Sequence, residues 1–471
     1  MRKRVAVIGG GIAGLAAAVR LRDLTPPGTD LIVYEQGGAL GGKLRTGELG
    51  SVTVERGAES FLMSDADGGE SAAVSLAKRL GLGDELVHPA AVPAALAIGG
   101  RLTPIPGGTL LGVPGDPAAL DGVARPAAGL DRDEGRPLLG AGADVAVGRL
   151  VRERYGDEVV DRLVDPLLGG VYAGRADRLS LAVTMPQLAS AARTEHTLRD
   201  AVRAAQAAGR RVPGRPVFGA VRGGMSRLVG AAATAGGARI SLGLPVRELA
   251  RTAHGWRLLL GPAAVPPGVS GGPGPQTDDV DAVVLAVPAK AAARLLAGVS
   301  AGAADAVGGL DYASVALVAL ALPPGTPLPA LTGFLVPPSE GRSVKAATFF
   351  TTKWPHLGGD GGPVIVRASL GRSGEEERLQ FDDAVLIERA HGELGELIGE
   401  ELPPPAASWI QRWGGGLPQY APGHLDRIAA ARAALPAGLA LAGAAFDGVG
   451  IPACVASGER AAEVVSKTLG S

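Results

Sequence analysis

The sequence has one cysteine, Cys454, among its 471 residues. A single thiol cannot form an intramolecular disulfide, so the composition excludes a disulfide-stapled scaffold and fits a reducing compartment. The six histidines lie far apart along the chain, and with this one cysteine they form no group with the spacing of metal ligands. We therefore predict no metal site.

Excess charge of one sign and long apolar runs are also lacking. The 46 Lys and Arg residues nearly balance 47 Asp and Glu, for a formal net charge of −1, which argues against nucleic acid as a partner. No charge-free apolar run reaches the ~18 residues of a membrane-spanning helix, since the run Ala313–Leu322 stops at two prolines. We expect a cytoplasmic protein, compatible with peripheral membrane contact, and no pattern indicates an oligomeric state.

What the sequence does have is a hydrophobic fraction of 46% and 73 glycines. That fraction is enough for a sizeable interior, and the length predicts two or three domains. The first glycines stand in Lys3–Leu21, KRVAVIGGGIAGLAAAVRL, where a short β-branched run meets an alanine-rich run. This order predicts a buried strand, a tight turn and a helix.

Gly9, Gly11 and Gly14 match the pattern G-x-G-x-x-G at that turn. One glycine permits the turn, the next lets the backbone approach a pyrophosphate, and the third lets the helix pack on the strand. The helix N-terminus offers free N–H groups to the phosphates. A second predicted strand ends in Glu35, 21 residues after Gly14, close to the ~20 typical of a ribose-binding carboxylate. Together these elements predict a Rossmann-like α/β nucleotide-binding domain.

A second glycine turn follows soon after this acid. Gly41 and Gly42 precede Lys43, and the segment ERGAESF follows at Glu55–Phe61. A nicotinamide dehydrogenase does not need this turn, whereas the longer FAD must be followed further by the protein. The pattern resembles the second glycine-rich motif of the flavin amine oxidase superfamily; taken alone, it also fits a hairpin with turn glycines.

Two later segments complete the predicted architecture. Val147–Gly174 has an amphipathic helical pattern, interrupted near Gly156, which predicts a helical insertion. Gly438–Val465 predicts a strand, a glycine-rich turn and a helix, where N–H groups stabilise charge at the N1–C2=O end of a reduced flavin. Gly261–Gln276 is predicted to be a low-complexity loop.

Segments along nearly the whole chain resemble the oxygen-dependent protoporphyrinogen and coproporphyrinogen III oxidases. LLGGVYAG and GVGIPAC are far more specific than the first glycine motif. The segments that carry the resemblance are GGGIAGL (Gly9–Leu15), GAESF (Gly57–Phe61), Asp161–Leu181, TTKWPHL (Thr351–Leu357), RWGGGLPQY (Arg412–Tyr420) and AGAAFDGVGIPAC (Ala442–Cys454).

The resemblance implies a mixed α/β fold like that of p-hydroxybenzoate hydroxylase. It implies a discontinuous FAD-binding domain, a helical domain compatible with membrane association, and a mixed-sheet substrate domain. The expected ranges are 1–64, 218–290 and 421–471 for the FAD domain, 92–200 for the helical domain, and 65–91, 201–217 and 291–420 for the substrate domain.

The resemblance also implies noncovalent FAD and an oxidase reaction. A porphyrinogen loses six electrons and six hydrogens, the flavin passes them to dioxygen in two-electron steps, and peroxide forms. We expect coproporphyrinogen III oxidation in haem biosynthesis, with protoporphyrinogen IX as the second candidate substrate. The sequence is also compatible with a flavin amine oxidase or a noncatalytic flavoprotein. No catalytic side chain is predicted, because the flavin itself accepts the hydride.

The resemblance assigns cofactor contacts residue by residue. The residues implied are Gly9, Gly10, Gly11, Ile12, Ala13 and Gly14 at the pyrophosphate, Glu35 at the ribose with Gln36 beside it, Lys43 near the cofactor, Gly57, Ala58, Glu59 and Ser60 lining the flavin, Val246 at the adenine, Trp413 near the isoalloxazine, and Val449, Gly450 and Ile451 at its N1 side.

Some of these residues also fit plainer roles. Val246 fits a core strand position, and Trp413 fits an ordinary buried aromatic, although only 3% of the chain is aromatic. Cys454 is expected to be a buried structural thiol rather than a covalent flavin link. Val92–Leu102 lacks a basic residue that some relatives carry before its final GRL, so no residue is assigned to orient the substrate.

Overall fold

The computed structural model describes residues 2–120, 122–209, 214–261, 276–359 and 361–469. The predicted loop at Gly261–Gln276 lies, apart from its two end residues, outside the described residues. The strands are β1 (Arg4–Ile8), β2 (Asp30–Tyr34), β3 (Thr46–Leu49), β4 (Val52–Glu55), β5 (Phe61–Leu62), β6 (Leu86–Val87), β7 (Ala94–Ile98), β8 (Arg101–Pro104), β9 (Thr109–Leu110), β10 (Val113–Pro114), β11 (Phe218–Val221), β12 (Arg239–Ser241), β13 (Val246–Arg251), β14 (Trp256–Leu260), β15 (Gln276–Val280), β16 (Ala282–Leu285), β17 (Tyr312–Leu322), β18 (Gly333–Leu335), β19 (Val344–Phe349), β20 (Val364–Leu370), β21 (Ala407–Pro418) and β22 (Leu439–Leu441).

Helices connect these strands and cover their faces. They are α1 (Ile12–Leu24), α2 (Ala72–Arg79), α3 (Val147–Tyr155), α4 (Asp157–Val159), α5 (Asp165–Tyr172), α6 (Leu181–Thr184), α7 (Pro186–Ala191), α8 (Leu198–Ala208), α9 (Ser226–Gly236), α10 (Ala289–Leu296), α11 (Ala301–Gly308), α12 (Phe350–Lys353), α13 (Asp383–Ile398), α14 (His424–Ala433), α15 (Ala444–Asp447) and α16 (Ile451–Leu469). None of the described helices is long and apolar enough to cross a membrane.

A five-stranded parallel sheet, in the order β12-β2-β1-β16-β22, forms the centre of one of the two main layers, and its strands come from both ends of the chain. Apart from the short edge strand β12, its strands are buried and mainly apolar on both faces, as a covered parallel sheet requires. Val5 and Val7 face the core formed with α1 and α16, and Ala6 and Ile8 face the core formed with α10 and α11. This Rossmann-like arrangement agrees with the α/β prediction.

The first and last helices of this layer cross at close range. Gly458 of α16 lies directly on the α1 backbone, where an added Cβ would overlap the carbonyl oxygen of Ala13. This close approach packs α16 against α1 on one face of the sheet, and both helices begin at the carboxyl edge, where β1 and β22 end.

A second, seven-stranded sheet has the order β21-β17-β20-β19-β18-β7-β8. Its pairings are antiparallel except for β18 with β7, so it is the expected mixed sheet. One face carries the core residues Phe334, Phe349 and Val366 and is covered by α13. The other face turns towards the nucleotide-binding half.

The strand pairing departs from the predicted domain boundaries in two places. β6, in the range 65–91 expected for the substrate domain, pairs with β11 of the range expected for the FAD domain. β7 and β8, within the range 92–200 expected to be helical, form a hairpin at the edge of the seven-stranded sheet. Ala95 and Ala97 face the same core as Phe334. A short alanine-rich run carries little periodicity, so the sequence pattern does not reveal this strand.

Helix packing departs from the boundaries as well. α10 and α11, in the range expected for the substrate domain, share the core of the five-stranded sheet. α2, also placed there, packs with α1 and α16. α8, which straddles the expected boundary at residue 200, packs with α3 and α7 in the helical core. The interruption expected near Gly156 is present: α3 ends at Tyr155 and Gly156 has φ +85°.

Candidate functional site

The first glycine turn connects β1 to α1 without side chains. Gly9 has φ +111°, and an added Cβ would overlap the carbonyl oxygen of Ala286. A Cβ at Gly14 would overlap the carbonyl oxygen of Gly9, so the helix rests directly on the turn. Gly11 is the N-cap of α1, and a Cβ there would meet nothing within 4 Å. Gly9 and Gly14 are therefore required by packing, whereas the space beside Gly11 is free.

Glu35 follows β2 and reaches back to this turn. Its carboxylate accepts hydrogen bonds from the backbone N–H groups of Gly10, at 2.8 Å, and Gly37, at 2.7 Å. The N–H of Leu244 donates to the Glu35 carbonyl at 3.2 Å, which brings the start of β13 beside the acid. Val246 begins that strand and is buried. Gln36 points to solvent.

The second glycine turn lies against the first. The N–H of Gly41 donates to the carbonyl of Gly10 at 2.8 Å, and Gly41 and Gly42 have φ +105° and +58°. The Lys43 carbonyl accepts a 3.1 Å hydrogen bond from Ala58, and an added Cβ at Gly57 would overlap that carbonyl. Backbone contacts thus join the predicted segments 9–14, 41–43 and 57–60.

Trp413 approaches this assembly from the seven-stranded sheet. Its indole Nε1 donates to the carbonyl of Arg56 at 2.8 Å, and its ring edge lies beside Gly57. The guanidinium of Arg45 lies over the ring, 5.7 Å from its centroid. The hydrogen bond fixes the half-buried indole at the junction between the two sheets.

Glu59 is held by two cations. Lys353 pairs with its Oε1, and Arg367 binds its Oε2 at 2.5 Å. Burial opposes ionisation of this carboxyl, but Lys353 and Arg367 outweigh burial and lower its pKa. Arg367 also donates to the carbonyls of Glu55 and Gly57, at 2.8 and 3.0 Å. The cluster fastens segment 57–60 onto the seven-stranded sheet.

The C-terminal turn lies beside the first helix. Gly443, after β22, has φ +118°, and a Cβ there would contact Ala13. The N–H of Gly443 donates to Ser457 Oγ at 2.8 Å. Val449 is half-buried, Gly450 is exposed and Ile451, the first residue of α16, is buried.

Asp447 stabilises that turn. Its carboxylate accepts from Ser457 and pairs with Arg432, at 2.6 Å, and Arg460, at 2.9 Å. Burial alone would raise the pKa of this carboxyl, but its hydrogen bonds with Arg432 and Ser457 and the nearby arginine charges lower it. The charge of Asp447 is thereby neutralised next to the start of α16.

Cys454 is buried on the first turn of α16. Burial raises the pKa of its thiol to about 11, with the nearby Lys43 ammonium opposing the shift. Its Sγ contacts the carbonyl of Gly448 at 3.6 Å. Because thiolates rather than thiols are nucleophilic, Cys454 is unreactive near neutral pH.

These contacts place the sequence-predicted residues along one continuous path. It runs from Val246 and Glu35, past the two glycine turns, to the segment 57–60 and Trp413, with the start of α16 beside α1. Sequence reasoning did not find Arg367, which has no local motif and acts through partners more than 300 residues away. Within the described ranges, no group of three or more His, Cys, Asp or Glu side chains is arranged to hold a metal ion.

The path suits an extended dinucleotide. The first backbone N–H groups of α1 have no intrahelical acceptor and suit phosphates, and the Glu35 carboxylate, which keeps free lone pairs, suits ribose hydroxyls. The absent Cβ atoms at Gly9, Gly14 and Gly57 let the chain segments along this path pack directly on one another.

Known proteins share this architecture over the full chain. Residues 12–466 match the family model described as flavin containing amine oxidoreductase. The chain is 36% identical over 468 residues to a Mycobacterium bovis protein named coproporphyrinogen III oxidase, with 98% of this chain and 97% of that protein covered. It is 29% identical over 515 residues to the Homo sapiens protein named protoporphyrinogen oxidase, with 99% of each covered.

A solved structure gives the same result for the fold. A protein from Exiguobacterium sp. 255-15, provisionally assigned as a protoporphyrinogen oxidase, superposes with a TM-score of 0.82 at 28% sequence identity, with both chains covered completely. The predicted mixed α/β fold is thereby confirmed.

Proposed function

This chain belongs to the flavin containing amine oxidoreductase family, and we propose that it oxidises coproporphyrinogen III to coproporphyrin III. The proposed cofactor is FAD, the acceptor is dioxygen, the other product is peroxide, and the reaction is a step of haem biosynthesis. The observation that carries the proposal is the full-length similarity to relatives named for this reaction. We place the reaction in the cytoplasm, compatible with peripheral membrane contact.

The residues of the site fit FAD. Segment 9–14 would hold the pyrophosphate, Glu35 the ribose, and the Val246 backbone the adenine. Gly57 to Ser60, Trp413 and the turn at Val449 to Ile451 would surround the isoalloxazine, with Lys43 nearby and Gln36 at the exposed edge. Bound FAD supplies a two-electron acceptor, and the chain itself supplies position and electrostatics.

The chemistry asks little of the side chains. Glu59 is neutralised by Lys353 and Arg367, so it is not free to act as a base. The chain would instead hold a large flat substrate between the seven-stranded sheet, α5 and the segments that would bind the isoalloxazine, and its contribution would be to orient the substrate. The unreactive thiol of Cys454 supports noncovalent FAD.

We also propose a domain division adjusted to the packing. The FAD domain comprises the predicted ranges 1–64, 218–290 and 421–471, together with α2, α10 and α11. The helical domain runs from the end of β8 through α8. The substrate domain is the seven-stranded sheet, including β7 and β8, with α12 and α13.

The test is oxidation of coproporphyrinogen III and protoporphyrinogen IX side by side, followed by porphyrin fluorescence, on enzyme whose FAD content has been measured. We expect faster oxidation of coproporphyrinogen III and release of the flavin on acid denaturation. A preference for protoporphyrinogen IX would instead favour the activity for which the human relative is named. Failure on both substrates, with turnover of small amines, would replace the proposal with an amine oxidase.

A further inference from the structure

A buried lysine without a partner lies between α5 and the seven-stranded sheet. Lys345 is 6% exposed, and none of the described residues forms a hydrogen bond or ion pair with its Nζ. It faces a cavity of about 10 Å³ that is also lined by Asp165, Gly169, Gly174 and Arg372. This volume is about that of one water-sized group, so it can take a single oxygen atom.

The charges around this cavity do not balance. Arg175 bridges Asp165 and Glu375 at 3.3 and 2.7 Å, and Arg372 and Arg378 lie 3.5 and 3.7 Å from Glu375. With Lys345, the group therefore has four cations and two carboxylates. A buried ammonium that no carboxylate contacts directly is costly, so this arrangement favours an incoming anion.

The cavity lies close to the proposed flavin side. Gly169 and Gly174 line it, and Ala173, between them, packs against Val315 and Trp413. At ~1.5 Å per helical residue, the step from Gly169 to Ala173 covers only about 6 Å. One short helix end therefore reaches both the unpartnered lysine and the indole.

The strand that carries Lys345 leads to the same place. Three residues further along β19, Thr348 pairs with Arg367, the residue that binds Glu59. At ~3.3 Å per strand residue this separation is at most about 10 Å, since β19 has a register shift at Lys345, and it is comparable to the distance from a tetrapyrrole bridge to its carboxylates. β7, at the other side of β18, offers only Ala94, Ala95, Leu96, Ala97 and Ile98.

We propose that Lys345 binds a carboxylate of the porphyrinogen substrate and thereby orients the ring relative to the flavin beside Trp413. The inference rests on the proposed function and adds to it a specificity-determining residue. Coproporphyrinogen III carries a propionate on every pyrrole ring, so any orientation that brings a bridging carbon to the flavin presents a carboxylate at the periphery. One oxygen of that carboxylate fills the cavity and accepts a charge-assisted hydrogen bond from the Lys345 ammonium.

Ionisation of the lysine supports this role. Burial and the nearby Arg372 lower the pKa of Lys345 to about 7, with Glu375 opposing the shift. Asp165 is the other charged residue that lines the cavity, and Arg175 and Arg378 lie behind it as ion-pair partners of Asp165 and Glu375. Carboxylate binding stabilises the ammonium, so substrate affinity is expected to fall as the pH rises above about 7.

The test is Lys345→Met in the full-length, FAD-loaded enzyme, with Lys290→Met as the control. Lys290 is exposed on α10, so its substitution removes the same charge away from the cavity. We expect Lys345→Met to raise the KM for coproporphyrinogen III and the Kd for coproporphyrin III by roughly 10- to 100-fold, the range for a lost charged hydrogen bond. The kcat should change only a few-fold, and the rise of KM above pH 7 should disappear.

The outcomes separate the two proposals. Wild-type enzyme that holds FAD but oxidises neither porphyrinogen overturns the proposed function. Active wild type with the same KM, Kd and pH profile in Lys345→Met and Lys290→Met overturns the role of Lys345 alone. If Lys345→Met loses FAD or fails to fold, Lys345→Gln serves in its place. An unchanged Kd for coproporphyrin III in Lys345→Gln, together with a protein stability that depends on chloride concentration, would show a site for inorganic anions only. That result would overturn the proposal.

Discussion

The nucleotide turns and the cavity at Lys345 are built in different ways. At the turns, backbone meets backbone: Gly9, Gly14 and Gly57 each leave room for a carbonyl oxygen of another segment. At the cavity, long charged side chains from β19, the segment after β20 and the end of α5 converge. In the first region the packing depends on missing side chains, so Gly9, Gly14 and Gly57 do not tolerate an added Cβ. The second region depends on the charges of its side chains, so we expect it to tolerate a change in side-chain shape better than a change in side-chain charge.

The largest expected effect is at the backbone-built region. Gly14→Val places a branched side chain against the Gly9 carbonyl, and overpacking of this kind costs about 3 kcal/mol or more. We expect little folded protein and no bound flavin, measured by circular dichroism and absorbance near 450 nm. A yellow Gly14→Val protein with wild-type melting would show that this turn is not built by close packing.

The next largest effect should come from the charges that fasten the two regions together. Arg367→Met leaves Glu59 with Lys353 alone and frees the carbonyls of Glu55 and Gly57. Loss of one partner of a buried pair costs about 3 kcal/mol, measurable as a lowered free energy of unfolding in urea. Arg257→Met, which breaks an exposed pair with Asp279, is the control and should cost less than about 1 kcal/mol. Equal losses in both variants would contradict a special role for Arg367.

A smaller and more selective effect is expected at Gly11. A Cβ there meets no protein atom within 4 Å, and the residue already has φ −73°. Gly11→Ala should leave the stability of the apoprotein within about 0.5 kcal/mol, yet weaken FAD binding by about tenfold or more because the added methyl faces the pyrophosphate. Titration of apoprotein with FAD measures this, and unchanged affinity would place the phosphates elsewhere.

The smallest effect is expected for Cys454→Ala. The buried thiol, whose pKa is about 11, should be neither a covalent link nor a nucleophile. We expect activity within about twofold of wild type and flavin that acid releases from both proteins. Flavin that stays with the denatured wild-type chain, but not with the variant, would disprove noncovalent binding.

The same contrast explains what could be predicted from the sequence. Gly9, Gly14 and Glu35 act within one strand–turn–helix–strand unit, so local order and spacing predict their place in the fold. Arg367 and Lys345 acquire their roles from partners far along the chain, and no local pattern marks them. β7 could not be predicted because its alanine-rich run has no clear periodicity. The domain of α10 and α11 could not be predicted because the sequence does not reveal which sheet a short helix covers.

Gly458 has a consequence for how the protein is made. Its contact with the Ala13 carbonyl brings α16 onto α1, and β22 completes a sheet that starts with β1. During synthesis α1 is translated early, and the face that packs on α16 stays exposed until nearly every other described element has been translated. We therefore expect the cofactor to bind only after translation, and ribosome-bound chains that end before residue 439 should carry no flavin colour.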